Sequence, residues 1–351
     1  MDNLEWRKKA LKIWQPPDDW QKITTIEAHS AGEPLRILID GFPETKGTTI
    51  LERRRYVKEN YDFLRTALMW EPRGHADMYG CIITPPENPD SDFGVLFLHN
   101  EGYSTMCGHG IIAVTTVALE TDLLPNNRPE KMVKIDTPAG LVTAFAKVNG
   151  KHVESVHFLN VPSFVFAKDE KVDVPGLGEV TFDIAFGGAF YAFVQADDVG
   201  VGLTSANFRE LIDKGMAIKK AVMKNFDVVH PFRSDLNFLY GTIFIGSPLE
   251  EGSDSRNVCI FAEGEVDRCP TGTGVSARMA LHYSRGEIGL NEPMVIESII
   301  GSKYTGSVVE AVKYGPYDAV IPRVEGSAHI TGKNEFWIDP KDPLIRGFIL
   351  R

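Results

Sequence analysis

Two similar eight-residue segments, one in each half of the chain, carry the residue types that could do chemistry. Residues 106–113 place Cys107 before a Gly-His-Gly turn, and residues 270–277 place Thr271 before a Gly-Thr-Gly turn. An apolar stretch of helical character follows the glycines in both, which predicts two helix N-termini with exposed backbone N–H groups. Two such helix starts facing each other would bind an anion, with a thiol contributed by one half and a hydroxyl by the other.

The similarity between the halves extends beyond these two segments. The pattern of an acid, a hydroxyl, two small or apolar residues and a glycine occurs at 136–140 and again at 297–301. Similar β-rich stretches open near 25–28 and 182–185. A repeat of this length predicts two similar domains, not a solenoid, because each copy is long enough to bury its own core.

Hydrophobic periodicity predicts the same order of elements in both halves. In the first half we expect a polar, turn-rich lead-in over 1–18, strand and turn over 23–39, an amphipathic helix over 51–69, strands at 79–84 and 93–99, and a helix over 111–119. In the second half we expect strands over 182–195, a helix over 207–223, strands at 241–245 and 258–263, and a helix over 274–283. The helix over 111–119 is apolar nearly all round, which predicts burial inside its own sheet. The domain boundary is predicted near Val180, which gives domains over 19–180 and 181–351. The last strand of the second domain is a candidate to pair with the sheet of the first domain.

Composition places the chain among ordinary globular proteins and excludes several classes of partner. It has 351 residues, 43% of them hydrophobic, and a formal net charge of −11. That charge argues against nucleic acid and anionic membranes as partners, since both require basic patches. Four cysteines in so long a chain do not make a disulfide framework, and the first residues lack the apolar core of a signal peptide. We therefore expect a cytoplasmic protein that is not membrane-bound.

The two glycine-rich turns also fit a dinucleotide-binding fingerprint, Gly-x-Gly-x-x-Ala, which keeps a nicotinamide-linked enzyme open as an alternative. That fingerprint expects a position early in its domain and an acidic residue about 20 positions later. Here the glycines come late in each half, and the next acids at strand ends are Asp136 and Glu297. The physics shared by both interpretations is anion binding at a helix N-terminus.

Several motifs together resemble the proline racemase family, and the resemblance runs from about Ile23 to the C-terminus. The segments that carry it are Met106-Cys107-Gly108-His109-Gly110, Pro72-Arg73-Gly74-His75, Gly187-Gly188-x-Phe190-Tyr191-Ala192, Asp267-Arg268-Cys269-Pro270-Thr271-Gly272-Thr273-Gly274 and Gly326-Ser327-Ala328-His329-Ile330-Thr331-Gly332. The resemblance implies an α+β fold like that of diaminopimelate epimerase, with two pseudo-symmetric domains, each a curled sheet around a central helix. It also implies catalysis without a cofactor, and a homodimer, since family members are commonly dimers.

The residue at position 271 decides which reaction the resemblance implies. Racemases and hydroxyproline epimerases have a second cysteine there, because a racemase needs a proton carrier on each face of the substrate. A hydroxyl is too weak a base for a carbon-bound proton, whereas a thiol has a pKa of about 8.5, and a lower pKa at a helix N-terminus. Threonine at this position resembles the trans-3-hydroxy-L-proline dehydratases, in which one base suffices to expel the 3-hydroxyl. A hydroxyproline 2-epimerase, a proline racemase and a non-catalytic small-molecule binder remain alternatives.

The resemblance assigns roles to individual residues around an amino-acid substrate. Cys107 is the expected general base, paired with Thr271 in the second half. The substrate carboxylate is expected to bind backbone N–H groups at Gly108, His109, Gly272 and Thr273. Asp267 matches the residue that binds the ring nitrogen. His109 is a candidate to contact substrate or to protonate the departing hydroxide, with a structural role as its alternative, and Tyr79 is expected to line the pocket.

Cys269 departs from the family pattern, which commonly has serine at this position. A second thiol two residues before Thr271 leaves open a two-base epimerase. A metal site built from Cys107, His109 and Cys269 is not predicted, because Cys-x-His lacks the paired spacing of zinc sites.

Overall fold

A computed structural model describes residues 5–124 and 131–350. The first half contains α1 (Glu5–Ile13), β1 (Gln21–Ser30), β2 (Glu33–Asp40), α2 (Ile50–Asn60), α3 (Asp62–Met69), β3 (Tyr79–Thr84), β4 (Phe93–His99), β5 (Gly102–Ser104), α4 (Gly108–Glu120), β6 (Lys131–Thr137), β7 (Gly140–Asn149), β8 (His152–Leu159) and β9 (Ser163–Val174). The second half contains β10 (Gly178–Phe186), β11 (Phe190–Gln195), α5 (Phe208–Asn225), β12 (Leu239–Gly246), β13 (Ser255–Phe261), β14 (Glu265–Val266), α6 (Gly272–Ser284), β15 (Met294–Glu297), β16 (Lys303–Tyr314), β17 (Tyr317–Gly326) and β18 (Ala328–Ile338).

The strand pairings of the first half recur in the second. β2 runs parallel to β3 and β4 parallel to β6, just as β11 runs parallel to β12 and β13 parallel to β15. Antiparallel pairs follow the same order, with β3 against β4 and β12 against β13. A mixed sheet with few helices confirms the expected α+β class.

The two halves are joined by exchanged strands. β18, from the end of the chain, pairs antiparallel with β1 over Gln21–Ser30, and β9 pairs antiparallel with β10. β17 also pairs with β8, so hydrogen bonds run between the halves at more than one place. The last strand therefore lies beside the first strand of the chain, while the domain boundary near Val180 stays a prediction.

One long helix in each half is buried along its length. Every residue of α4 from Gly108 to Leu119 is buried, as is every residue of α6 from Gly272 to Leu281. Strands β1, β8 and β18 pack on α4, and strands β9, β16 and β17 pack on α6. The predicted burial of the apolar helix is confirmed, and it fixes the N-terminus of each helix inside the protein.

Three local predictions differ from the structure. The single helix predicted over 51–69 is two helices, because Tyr61 leaves the helical region with φ −132° and ψ 16°. Asp62 then opens α3 and forms an ion pair with Arg65, which stabilises the new helix start. The lead-in over 1–18 contains α1, and residues 1–4 lie outside the described part. Both central helices begin at the first glycine of their turn, earlier than predicted.

No helix among the described residues is both long enough and apolar enough to cross a membrane.

Candidate active site

The N-termini of α4 and α6 meet in the interior of the protein. A Cβ atom built on Gly108 would lie 2.5 Å from the Cα atom of Gly272, and one built on Gly272 would lie 2.7 Å from the Cα of Gly108. Carbon atoms in contact normally lie about 3.5–4.0 Å apart, so only glycine permits this approach. The positive ends of two helix dipoles and their free N–H groups therefore converge, as the sequence predicted.

A small cavity lies where the helices meet, with a volume of about 20 Å³. All of the residues predicted to form the site line it, namely Cys107, Gly108, His109, Asp267, Thr271, Gly272, Thr273 and Tyr79. A space of this size holds about one water molecule and is far smaller than a proline ring.

The cavity is also lined by four residues that the sequence analysis did not assign to the site, and these are Met106, Tyr191, Tyr240 and Phe261. Met106 and Tyr191 lie within motifs that carried the family resemblance, so a signal for them existed. Tyr240 and Phe261 end up there because β12 and β13 pair beside the site. Their rings stack with centroids 5.3 Å apart, and the Tyr191 hydroxyl lies 2.7 Å from Oγ1 of Thr273.

Cys107 is the N-cap of α4, with extended backbone at φ −144° and ψ 110°. Its Sγ accepts a hydrogen bond from the backbone N–H of Gly110 at 3.2 Å and lies 3.2 Å from Nδ1 of His109. Burial raises the pKa of this thiol well above its ordinary value, and the Gly110 N–H lowers it only in part. In this closed geometry the pKa is raised, contrary to the expectation for a thiol at a helix start, because desolvation outweighs the hydrogen bond from Gly110.

His109 lies beside the thiol as an uncharged ring. Burial lowers its pKa to about 3, and a smaller opposing effect comes from its hydrogen bond to the Pro34 carbonyl. The Tyr79 ring packs edge-on against it, with centroids 4.8 Å apart. The 3.2 Å between Nδ1 and Sγ permits proton exchange between the two groups once hydration relieves the burial that keeps both neutral.

Thr271 occupies the position equivalent to Cys107 but adopts a different conformation. Its backbone lies in the left-handed region, at φ 66° and ψ 91°, which is rare and strained for a β-branched residue. Its hydroxyl donates to Oδ2 of Asp267 at 2.8 Å, and its side chain does not cap α6. The pseudo-symmetry of the two motifs is therefore broken at the residue that sequence analysis singled out.

Asp267 is buried between two donors. Besides the Thr271 hydroxyl, the backbone N–H of Cys269 donates to Oδ1 at 2.8 Å. Burial raises the pKa of this carboxyl, and the two hydrogen bonds lower it in part. The Cys269 side chain is itself fully buried, and its Sγ accepts the Thr271 backbone N–H at 3.3 Å. It lies behind the cavity wall, whereas Asp267 lies on it.

Arg268, next to Asp267, is bound by residues of the first half. Its backbone N–H donates to Oε2 of Glu33 at 2.7 Å, and its guanidinium lies 2.8 Å from the carboxylate of Asp77. Burial raises the pKa of Glu33 well above its ordinary value, and the nearby Asp267 carboxyl raises it further. Contacts from Glu33 and Asp77 therefore fix the loop that positions Asp267.

Comparison with known proteins agrees with this geometry. The sequence model described as proline racemase matches residues 25–349. A protein of Colwellia psychrerythraea named trans-3-hydroxy-L-proline dehydratase is 50% identical over 99% of both chains, and one of Bacillus cereus with the same name is 49% identical over 93% of this chain and 98% of its own. A crystal structure of a hydroxyproline epimerase from Agrobacterium vitis, with bound trans-4-hydroxy-L-proline, superposes with a TM-score of 0.88 at 30% identity, covering 94% of this chain and 96% of that one. On the sequence, the fold and the meeting of the two helix starts, the chain belongs to the proline racemase family.

Proposed function

We propose that this protein dehydrates trans-3-hydroxy-L-proline to Δ1-pyrroline-2-carboxylate and water without a cofactor. The observation that carries the proposal is the hydrogen bond that the Thr271 hydroxyl donates to Asp267. This hydroxyl is the group in the second half that corresponds to the Cys107 thiol, and it is engaged in supporting the carboxylate. Among the described residues, Cys107 has the one thiol on the cavity wall. One base is sufficient for elimination but not for racemisation, and the names of the relatives from Colwellia psychrerythraea and Bacillus cereus support the same choice.

Two sets of groups orient the substrate in this proposal. Its carboxylate binds the free N–H groups at the two helix starts, those of Gly108, His109, Gly272 and Thr273, where the dipoles favour an anion. Its ring ammonium pairs with Asp267, whose carboxylate is held in place by Thr271 and Cys269. A bound ammonium also adds a positive charge beside a carboxylate whose burial raises its pKa.

The stereochemistry of the substrate suits an acid and a base on the same side. In trans-3-hydroxy-L-proline the hydroxyl is trans to the carboxylate, so the Cα hydrogen and the hydroxyl lie on one face of the ring. Elimination of water then needs a proton acceptor and a proton donor next to each other. Cys107 and His109, with Sγ and Nδ1 3.2 Å apart, supply such a pair.

The proton balance closes over one turnover. The resting site has a thiol and a neutral imidazole, because burial raises the pKa of Cys107 and lowers that of His109. His109 takes the thiol proton as the site opens to admit the substrate, because hydration then relieves the burial that raises the pKa of Cys107 and lowers that of His109. The thiolate removes the Cα proton, the bond from C3 to oxygen breaks, and His109 protonates the departing hydroxide to give water. The resulting enamine tautomerises to the imine, and the thiol and imidazole return to their resting states.

We further infer that the two repeats, over 19–180 and 181–351, act as two domains that part to admit the substrate and close around it. The cavity of about 20 Å³ between α4 and α6 supports this motion. A cytoplasmic homodimer remains our proposal for the working state, and sedimentation velocity of the purified chain tests the assembly.

Incubation with trans-3-hydroxy-L-proline tests the reaction. We expect an imine that reacts with o-aminobenzaldehyde, together with Cα exchange in D₂O. The second candidate is a hydroxyproline 2-epimerase, favoured by the structural similarity to the Agrobacterium vitis enzyme. Inversion of trans-4-hydroxy-L-proline, followed by polarimetry, without imine formation would replace the first proposal with the second. Absence of both reactions would favour a binding protein.

A further inference from the structure

A group of three metal-ligating side chains lies at the junction of the two halves. His109 comes from the first half, and Asp267 and Cys269 come from the second. One ligand atom from each lies within 4.8 Å of the other two, and all three residues are buried. Among the described residues, this is the one such group of three histidine, cysteine or acidic side chains.

The donor set matches the preference of a borderline-soft divalent cation. An imidazole nitrogen, a thiolate sulfur and a carboxylate oxygen are the ligands that bind zinc in proteins. Zinc lies about 2.0 Å from nitrogen and about 2.3 Å from sulfur, so tetrahedral ligands are about 3.3–3.8 Å apart. Small side-chain shifts therefore bring the three atoms into coordination distance, with one position left for a further ligand.

A second observation points to a cation at the same place. Oε1 of Glu33 is buried and has no hydrogen-bond partner, although Oε2 of the same carboxylate accepts the N–H of Arg268. Arg268 is the residue between Asp267 and Cys269, so this carboxylate lies against the group of ligands. The charge of Arg268 stabilises this carboxylate only in part, and a cation bound by Asp267 and Cys269 would stabilise it further.

The Cys269 side chain has no role in the proposed dehydration, in which only the backbone N–H of this residue supports Asp267. This side chain lies buried behind the cavity wall, and its thiol is a ligand that soft cations prefer. A cation bound by His109 and Asp267 would occupy the groups that contact substrate, and it would lie beside Cys107, whose Sγ is 3.2 Å from Nδ1 of His109.

We propose that His109, Asp267 and Cys269 form an inhibitory site for a soft divalent cation such as Zn²⁺. Because the ligands come from both halves, the bound ion holds the closed form together and competes with the substrate. The Cys269 thiol loses its proton to solvent when the ion binds. The inhibition depends on the proposed function, whereas the binding does not.

Cobalt absorption tests the binding directly. Co²⁺ is titrated into the full chain after treatment with a chelator, and a thiolate-to-cobalt charge-transfer band is expected at one ion per chain. The band should persist in Cys107→Ser, which removes the proposed base, and in the control Cys81→Ala, which removes a thiol buried elsewhere. It should disappear in Cys269→Ser.

A Zn²⁺ competition against the cobalt band measures affinity. His109→Gln, which keeps all thiols, should lower the affinity for Zn²⁺ by at least about tenfold. This variant tests the site if Cys269→Ser does not fold. A band that survives in Cys269→Ser, or no band in the unaltered chain, overturns the site. These readouts need no turnover, so an inactive chain that binds the ion would refute only the proposed function.

Discussion

Replacing Gly272 by alanine tests whether the contact between the two helix starts builds the active site. The added Cβ would lie 2.7 Å from the Cα atom of Gly108, about 1 Å inside normal carbon contact. The atom it meets is backbone and the Cβ is fixed rigidly to its own backbone, so the two buried helices must move apart by about that distance. A misplacement of about 1 Å costs on the order of 100-fold in rate, which is the loss of kcat/KM that we expect.

The assay is imine formation from trans-3-hydroxy-L-proline, with thermal unfolding followed on the same samples. Alanine in place of glycine favours a helix by up to about 1 kcal/mol, so a lower rate would not come from a weaker helix. Gly332→Ala is the matched control, because a Cβ there meets nothing within 4 Å. A Gly272→Ala protein that folds and retains a rate within a few-fold of the parent would refute the argument.

Four further outcomes are expected. Cys107→Ser should lower kcat by about 10²–10⁴ with folding little changed, as loss of a general base does, and a near-normal rate would remove Cys107 from that role. Thr271→Val keeps the branched shape but removes the donor to Asp267, so KM should rise about tenfold to a hundredfold, and an unchanged KM would mean that the bond does not position the carboxylate. Cys269→Ser should keep dehydration within a few-fold, while loss of an epimerase activity in this variant would reinstate the two-base alternative. The pKa of His109 is lowered to about 3 in the folded protein, so the unfolded chain binds more protons below pH about 6.5 and stability falls as pH falls from there. Denaturant titrations should therefore show stability falling more steeply in the parent than in His109→Gln, by up to about 1.4 kcal/mol per pH unit, and parallel slopes would contradict a neutral buried ring.

Several features could be predicted because they depend on local pattern. The strands 79–84 and 93–99 match β3 and β4, and the apolar run after Cys107 became a buried helix, since periodicity and turn residues act over short stretches. The repeat brought Cys107 and Thr271 into comparison, and the apolar stretch after each Gly-x-Gly predicted the two helix starts.

Other features depended on contacts between distant parts of the chain. Glu33 binds the backbone of Arg268, 235 residues away, and no local pattern indicates that pair. Tyr240 and Phe261 reached the cavity only because β12 and β13 pair beside it. Such contacts follow from how the strands assemble, and sequence spacing does not encode them.

The sequence by itself determined which groups the two repeats present: a thiol at Cys107, a hydroxyl at Thr271 and a helix start after each. Only the tertiary structure decided how those groups behave. Thr271 turned its hydroxyl onto Asp267 through a left-handed backbone, and burial raised the pKa of the Cys107 thiol although the helix start favours the thiolate. The physical reason is that residue type is a property of the chain, whereas desolvation and hydrogen-bond direction are set by the surrounding residues once the core has packed.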